Sequence, residues 1–311
     1  MILTVTVNPA LDKNYLVSAL SLSGINRVKE MSVLPAGKGL NVSRVLHALE
    51  TPTLATGILG GYTGKQIEAA LRLVGLPYDF VWTRSESRLS LLIVDDDGKV
   101  HSEIIEPGPK LPAGIWKRLA TKVSKLASQC SWVVLSGSPT PDAEPDLYYH
   151  LINQVYALGT KVVLDTREPW LREGIKAKPD LIKPNWEEFQ ELVGPCFSTV
   201  QAVQEARKLV AKGVGTVVVS MGAKGAFAVD ERDAYIVQEL PAIDVVSPVG
   251  CGDSLVAGLL AKLHAGESFA DAFRFGVAVA TSNAAHLGAG LFDLQQVEEL
   301  ASKIVVEKNS V

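Results

Sequence analysis

Short runs of β-branched residues recur along this chain, at Leu3 to Val7, Trp132 to Leu135, Lys161 to Leu164 and Thr216 to Ser220, with helically spaced segments between them. No other feature constrains the fold as much, because strands joined through helices run parallel and need cover on both faces. The helical stripes are well formed: Val42, Val45, Leu46 and Leu49 share a face, as do Val203, Ala206, Leu209 and Val210, and Leu255, Val256, Leu259, Leu260 and Leu263. An α/β chain with a mostly parallel central sheet is predicted. Two stretches, about Tyr15 to Leu34 and about Arg88 to Ile105, alternate polar and apolar residues instead, the second around a turn at Asp95-Asp96-Asp97-Gly98. They predict antiparallel strands outside the main sheet, a small β lid. Without an internal repeat, low-complexity tract or linker, residues 1–311 read as one domain with lid segments near 13–35 and 86–106.

Charge and cysteine usage narrow the function classes. Lys and Arg total 30 against 34 for Asp and Glu, a net charge of -4, so the summed field does not gather nucleic acid. Cys130, Cys196 and Cys251 are odd in number and form no CxxC pair, and the five histidines show no metal-ligand spacing. They read as thiols of a reducing, cytoplasmic compartment. The stretch from Met1 to Val7 lacks the basic start and length of a signal peptide, and no apolar run is long enough to span a bilayer. No membrane partner is expected.

Ser247 to Gly258 carries the strongest chemical signal, a glycine-rich turn running straight into a helix. Unpaired N–H groups at such a helix start attract anions, so Gly250, Cys251 and Gly252 can hold a phosphate or a developing phosphoryl anion. Asp253 then stands in the first turn, where the helix dipole favours an ionised carboxylate able to accept a hydroxyl proton. An Asp that merely stabilises a helix start is the competing reading.

Further motifs give it company. Gly37, Lys38, Gly39 and Asn41 lie in a second glycine turn before a helix, without Walker A spacing, and suit sugar hydroxyls and an anionic substituent. Asn185 and Glu188 stand three apart at a helix start after Lys183. From there they could hold the waters of a magnesium ion, or form a capping box, or do both. Ser220, Gly222 and Gly225 end a strand in a turn that could approach a nucleotide. Asp12 is placed at the end of the first strand, where ligands of open α/β folds collect, and Arg27 and Arg88 on the lid segments could clamp an acceptor phosphate. Cys251 reads as a small packed residue and not a nucleophile.

Taken in order, Asn8 to Asp12, Ala36 to Asn41, Lys183 to Glu188, Ser220 to Gly225 and Gly250 to Asp253 resemble the ribokinase-like (PfkB) carbohydrate kinases over essentially the whole chain. Asn8 to Asp12, Gly37 to Asn41 and Glu106 to Pro109 look most like the branch of 1-phosphofructokinase, tagatose-6-phosphate kinase and the minor 6-phosphofructokinase. The resemblance implies a three-layer α/β/α sandwich with a β lid, ATP with magnesium, and Asp253 as base beside an anion hole from Val249 to Gly252. It also implies a sugar-phosphate site at Asp12, Lys38, Asn41 and Arg88. The nucleotide would meet Lys183, Asn185, Ser220, Gly222 and Gly225, with Asn283 facing adenine, and a homodimer would form through the lid. The implied reaction converts fructose 1-phosphate to fructose 1,6-bisphosphate. Tagatose 6-phosphate or fructose 6-phosphate is the alternative acceptor, and a non-catalytic sugar-phosphate-binding regulator is the alternative from another class.

Overall fold

The computed structural model describes residues 1–95 and 101–310. A ten-stranded sheet takes β1 (Ile2–Thr6), β4 (Thr53–Gly60), β5 (Val81–Thr83), β8 (Trp132–Ser136), β9 (Lys161–Asp165), β10 (Leu181–Ile182), β11 (Thr216–Ser220), β12 (Ala226–Val229), β13 (Asp233–Val237) and β14 (Glu307–Ser310). Their order is β14-β13-β12-β11-β10-β9-β8-β1-β4-β5, parallel from β11 to β5 and antiparallel beyond β11. A four-stranded sheet, ordered β3-β2-β6-β7, is built from β2 (Ala10–Val17), β3 (Val28–Ala36), β6 (Arg88–Asp95) and β7 (His101–Ile105).

The helices are α1 (Lys38–Ala48), α2 (Gly61–Leu73), α3 (Ile115–Ala127), α4 (Leu147–Tyr156), α5 (Trp170–Gly174), α6 (Trp186–Val193), α7 (Thr199–Ala211), α8 (Cys251–His264), α9 (Phe269–Asn283) and α10 (Leu294–Lys303). Strand parity decides which helices each face meets. Leu3, Val5, Val133, Leu135, Val162, Leu164, Val217 and Val219 point to one side, packing with α3, α4, α6 and α7. Ile2, Val134, Val163 and Val218 point to the other, against α1, α8, α9 and α10. The result is the expected three-layer α/β/α sandwich.

Pairing within the small sheet differs in part from the sequence reading. β2 pairs antiparallel with β3, and β6 with β7, but the central pair β2 and β6 runs parallel, because both strands enter the sheet from the same edge of the main body. Most of the Asp95 to Gly98 turn lies outside the described residues. Asp12 is not at the end of β1, which stops at Thr6; it stands on β2 of the small sheet, paired with Leu34 and Ser90. The alternation in Ala10 to Val17 puts Asp12 and Asn14 on one face and Lys13 and Tyr15 on the other.

Candidate active site

The parallel strands end at one edge, and there a cleft of about 1690 Å³ opens beneath the small sheet. Thr6, Ser136, Lys183 and Ser220, each at or just past a strand's carboxyl end, line its floor, and Asp12, Arg88, Ser90 and Glu103 line it from the small sheet. This edge is where open α/β sheets collect ligands.

Two glycine turns converge in the cleft. Gly250 adopts φ +81°, and a Cβ there would stand 2.4 Å from Ala289 Cβ, so only glycine makes this approach without strain. The turn delivers Asp253 into the first turn of α8, buried at 5% exposure. From the other turn, Asn41 Nδ2 on α1 donates to Asp253 Oδ2 at 2.7 Å, across 212 residues of sequence.

An ionic cluster surrounds this pair. Lys38 Nζ lies 2.8 Å from Asp165 Oδ1 and 3.4 Å from Glu188 Oε1, and Lys183 Nζ lies 3.6 Å from Asp165 Oδ2. Burial opposes the charge on Asp165, but Lys183 and Lys38 outweigh it and hold its carboxyl below the usual range. Burial likewise opposes the charge on Lys38, yet Asp165, Glu188 and Asp253 hold its ammonium above its usual value. Asp253 moves the other way: burial first, then the Asp165 charge, push its carboxyl up to about 7 against Lys38, Asn41 and Lys183. The helix start therefore does not decide its protonation; burial does, and the carboxyl titrates near neutrality, where a base with a matched proton affinity works best.

On the small-sheet side of the cleft, burial raises Asp12 to about 6 against the nearby Arg88. Arg88 donates to the Asn8 carbonyl at 3.1 Å and the Glu106 carbonyl at 3.2 Å while still lining the cleft. Lys183 sits beneath the other turn, its Nζ 3.0 Å from where a Gly252 Cβ would stand, so a side chain at Gly252 would displace that ammonium.

Residues 8–296 match the model for the pfkB family of carbohydrate kinases. The chain belongs to that family. It is a sugar kinase, a phosphotransferase with an alcohol acceptor and ATP as its phosphoryl source. It is 32% identical to a 1-phosphofructokinase of Borreliella burgdorferi over 99% of this chain and 98% of that protein. A 1-phosphofructokinase of Haemophilus influenzae is 30% identical over 98% of this chain and 97% of its own. Among solved structures, phosphofructokinase-2 from Escherichia coli in complex with substrates and products superposes with TM-score 0.89 at 26% identity, covering 97% of this chain and 99% of that one.

In this sugar kinase the cleft brings together Asp12, Gly37, Lys38, Asn41, Arg88, Lys183, Asn185, Glu188, Ser220, Gly222, Gly225 and the turn from Val249 to Asp253. Three expected residues lie elsewhere. Arg27 is on the exposed connection between β2 and β3, away from the cleft of its own chain. Gly39 is buried where a Cβ would stand 2.5 Å from Thr6 Oγ1, so it seats α1 on β1 and touches no cleft. Asn283 has no exposed surface and hydrogen-bonds within the protein, so it does not face adenine.

Asn185 and Glu188 form the capping box: Glu188 N–H donates to Asn185 Oδ1 at 2.8 Å, and Asn185 N–H to Glu188 Oε2 at 2.9 Å. Cys251 is pushed up to about 12, first by burial, and stays a neutral thiol at neutral pH. Sequence reasoning missed Asp165, the hub that holds both lysines. Its signal was available, since Lys161 to Asp165 is an apolar strand that ends in a carboxylate.

Proposed function

We propose that this chain transfers the γ-phosphoryl group of ATP to the free primary hydroxyl of a hexose monophosphate, with fructose 1-phosphate as acceptor and Asp253 as base. The 2.7 Å bond between Asn41 and Asp253 carries the reading, because it aims two glycine turns, distant in sequence, at one point of one cleft. Fructose 1-phosphate is favoured by the two relatives named 1-phosphofructokinase.

The acceptor binds under the small sheet, which serves as a lid on a single kinase unit. Arg88 meets its phosphate, and Asp12, titrating near 6, exchanges hydrogen bonds with its hydroxyls. The nucleotide lies across the ends of β10 and β11, near Lys183, Ser220, Gly222 and Gly225. Asp253 takes the hydroxyl proton as the oxygen attacks in line, and the N–H groups at the start of α8 receive the charge spread over the transferring group. Lys38, already compensated by two carboxylates, orders that cluster and spans sugar and nucleotide sides.

Magnesium fits this site in one manner. Among the described residues no group of three or more His, Cys, Asp or Glu side chains could hold a metal, and the Asn185 oxygen is engaged in the cap. Glu188 lines the cleft and would hold the ion through waters together with nucleotide phosphates, where the ion neutralises phosphate charge.

A homodimer is supported by the small sheet's other face, which presents exposed Met31, Val33 and Ile104 beside Tyr15, Leu91 and Ile93. A related fold assembles further: phosphofructokinase-2 from Escherichia coli has a tetrameric inhibited form. We also place the chain in the cytoplasm, where three free thiols stay reduced, and among the described residues no helix is long and apolar enough to cross a membrane.

The test is an ADP-release assay with fructose 1-phosphate, tagatose 6-phosphate and fructose 6-phosphate. Turnover is expected to be fastest with the first, and Asp253→Asn to lower kcat by about 10²- to 10⁴-fold with ADP affinity retained. Sugar-phosphate binding without ADP release from any of the three contradicts the reading, as does near-normal turnover by D253N.

A further inference from the structure

Asn283 closes α9 with no surface exposed, and its carboxamide uses all four of its hydrogen-bonding positions. Nδ2 donates to the Val249 carbonyl at 2.9 Å and faces Cys251 Sγ at 3.6 Å; Oδ1 accepts from Ser254 Oγ at 2.9 Å and from Gly290 N–H at 2.6 Å. These partners belong to three pieces of chain: the anion-binding turn, the first turn of α8, and the segment around Gly290.

That third piece is tied back to the sugar side. Arg44 Nη2 donates to the Ala289 carbonyl at 2.7 Å and the Gly290 carbonyl at 3.3 Å, while Arg44 Nη1 lies 3.4 Å from Asn41 Oδ1. Asn41 in turn holds Asp253. Hydrogen bonds therefore run in a closed circuit from Asp253 through Asn41, Arg44, Gly290 and Asn283 to Ser254, the neighbour of Asp253.

The Val249 contact has a consequence at the reacting end. In a trans peptide the carbonyl and the following N–H point in opposite directions. Holding the Val249 oxygen on the buried carboxamide turns the Gly250 N–H away from the core, and Gly250 lines the cleft. Gly250 also packs on Ala289 so closely that no Cβ fits between them, which couples the turn to the same circuit.

We infer that Asn283 is a positioning residue for phosphoryl transfer, fixing the Val249–Gly250 peptide so that the amides of the turn face the transferring group. The inference rests on the kinase reading above. Asn283 does not line the cleft and acts through the turn it holds.

Asn283→Asp keeps nearly the same shape and can still accept from Ser254 and Gly290, but its ionised carboxylate has no donor for the Val249 oxygen, and a pH series separates that form from the protonated one, whose O–H can still donate. Ser254→Ala removes another bond of the same hub and leaves the Val249 clamp in place. Both are compared with the unaltered enzyme for kcat, KM for fructose 1-phosphate, Tm, and affinity for ADP alone and for ADP with aluminium fluoride. N283D is expected to lower kcat by about 10²-fold, the cost of one misaimed oxyanion donor, and to weaken ADP–aluminium fluoride binding in parallel. KM and affinity for ADP alone stay within about threefold. S254A keeps kcat within about threefold, whatever its loss of Tm.

Equal losses of kcat in the two variants, or unchanged kcat in N283D, overturn the inference. Asn283→Ser, which removes the clamp without adding charge, carries the same expectation if N283D is not recovered folded. Failure of both to fold makes Asn283 a core-packing residue and overturns the inference too. The kinase reading fails separately, if the unaltered enzyme neither phosphorylates a hexose monophosphate nor binds ADP–aluminium fluoride more tightly than ADP.

Discussion

Replacing Asn41 by Ala tests how the cleft sets the proton affinity of its base. Asn41 Nδ2 donates to Asp253 Oδ2 at 2.7 Å, a bond made to a carboxyl that titrates near 7. A hydrogen bond to a charged group contributes about 1.5–3 kcal/mol, and one pKa unit corresponds to about 1.36 kcal/mol, so its loss moves the Asp253 carboxyl to about 8–9. About half of the Asp253 carboxyls are ionised at pH 7 before the change and roughly a hundredth to a tenth after it, so activity at pH 7 falls about 5- to 50-fold. Activity rises with pH as the base deprotonates, so most of that loss returns by about pH 9.5. The assay is kcat/KM for fructose 1-phosphate, by coupled ADP release, across that range. The acid limb should move upward in N41A with a similar plateau. A limb that stays near 7 while activity drops equally at every pH refutes the assignment of this bond to tuning the base.

Other outcomes follow from the same geometry. Asp165→Asn leaves Lys38 and Lys183 without their shared carboxylate and should destabilise the fold by about 3–5 kcal/mol at pH 7, read from urea unfolding. Because the Asp165 carboxyl is held below its ordinary 3.8, its contribution is full above that pH and fades as pH falls further, so the gap to D165N should narrow in acid. A gap independent of pH contradicts the pairing. Gly250→Ala forces a side chain into φ +81° and against Ala289, and should cost about 2–5 kcal/mol of stability; a Tm unchanged within error refutes it. Met31→Asp combined with Ile104→Asp should convert a particle of twice 33.3 kDa to the monomer in light scattering, and an unaltered chain that is already monomeric rejects the lid interface.

Much of the fold was legible because its causes are local. Alternating β-branched runs and helical stripes dictate strand and helix within a few residues, and the turn at Gly250 to Asp253 announces a helix start with free amides wherever it occurs. The capping box at Asn185 and Glu188 was legible for the same reason. Asp12 was misplaced because Asn8 to Asp12 was read as the end of the first strand, whereas β1 stops at Thr6 and Asp12 belongs to β2, a boundary that the blocked pattern of Ala10 to Val17 does not announce. Where Arg27 and Asn283 end up was not legible, because residue type does not say whether a side chain ends in a cleft, in solvent or in the core.

The amino-acid sequence alone thus determined the elements, the two glycine turns and the identity of the carboxylate at the helix start, since each depends on neighbours within a few positions. Tertiary structure alone decided that Asn41 meets Asp253, that Asp165 binds two lysines, and that Asp253 titrates near neutrality. Burial and charge proximity arise between segments hundreds of residues apart, and they exist only once the sheet has brought its strand ends to one edge.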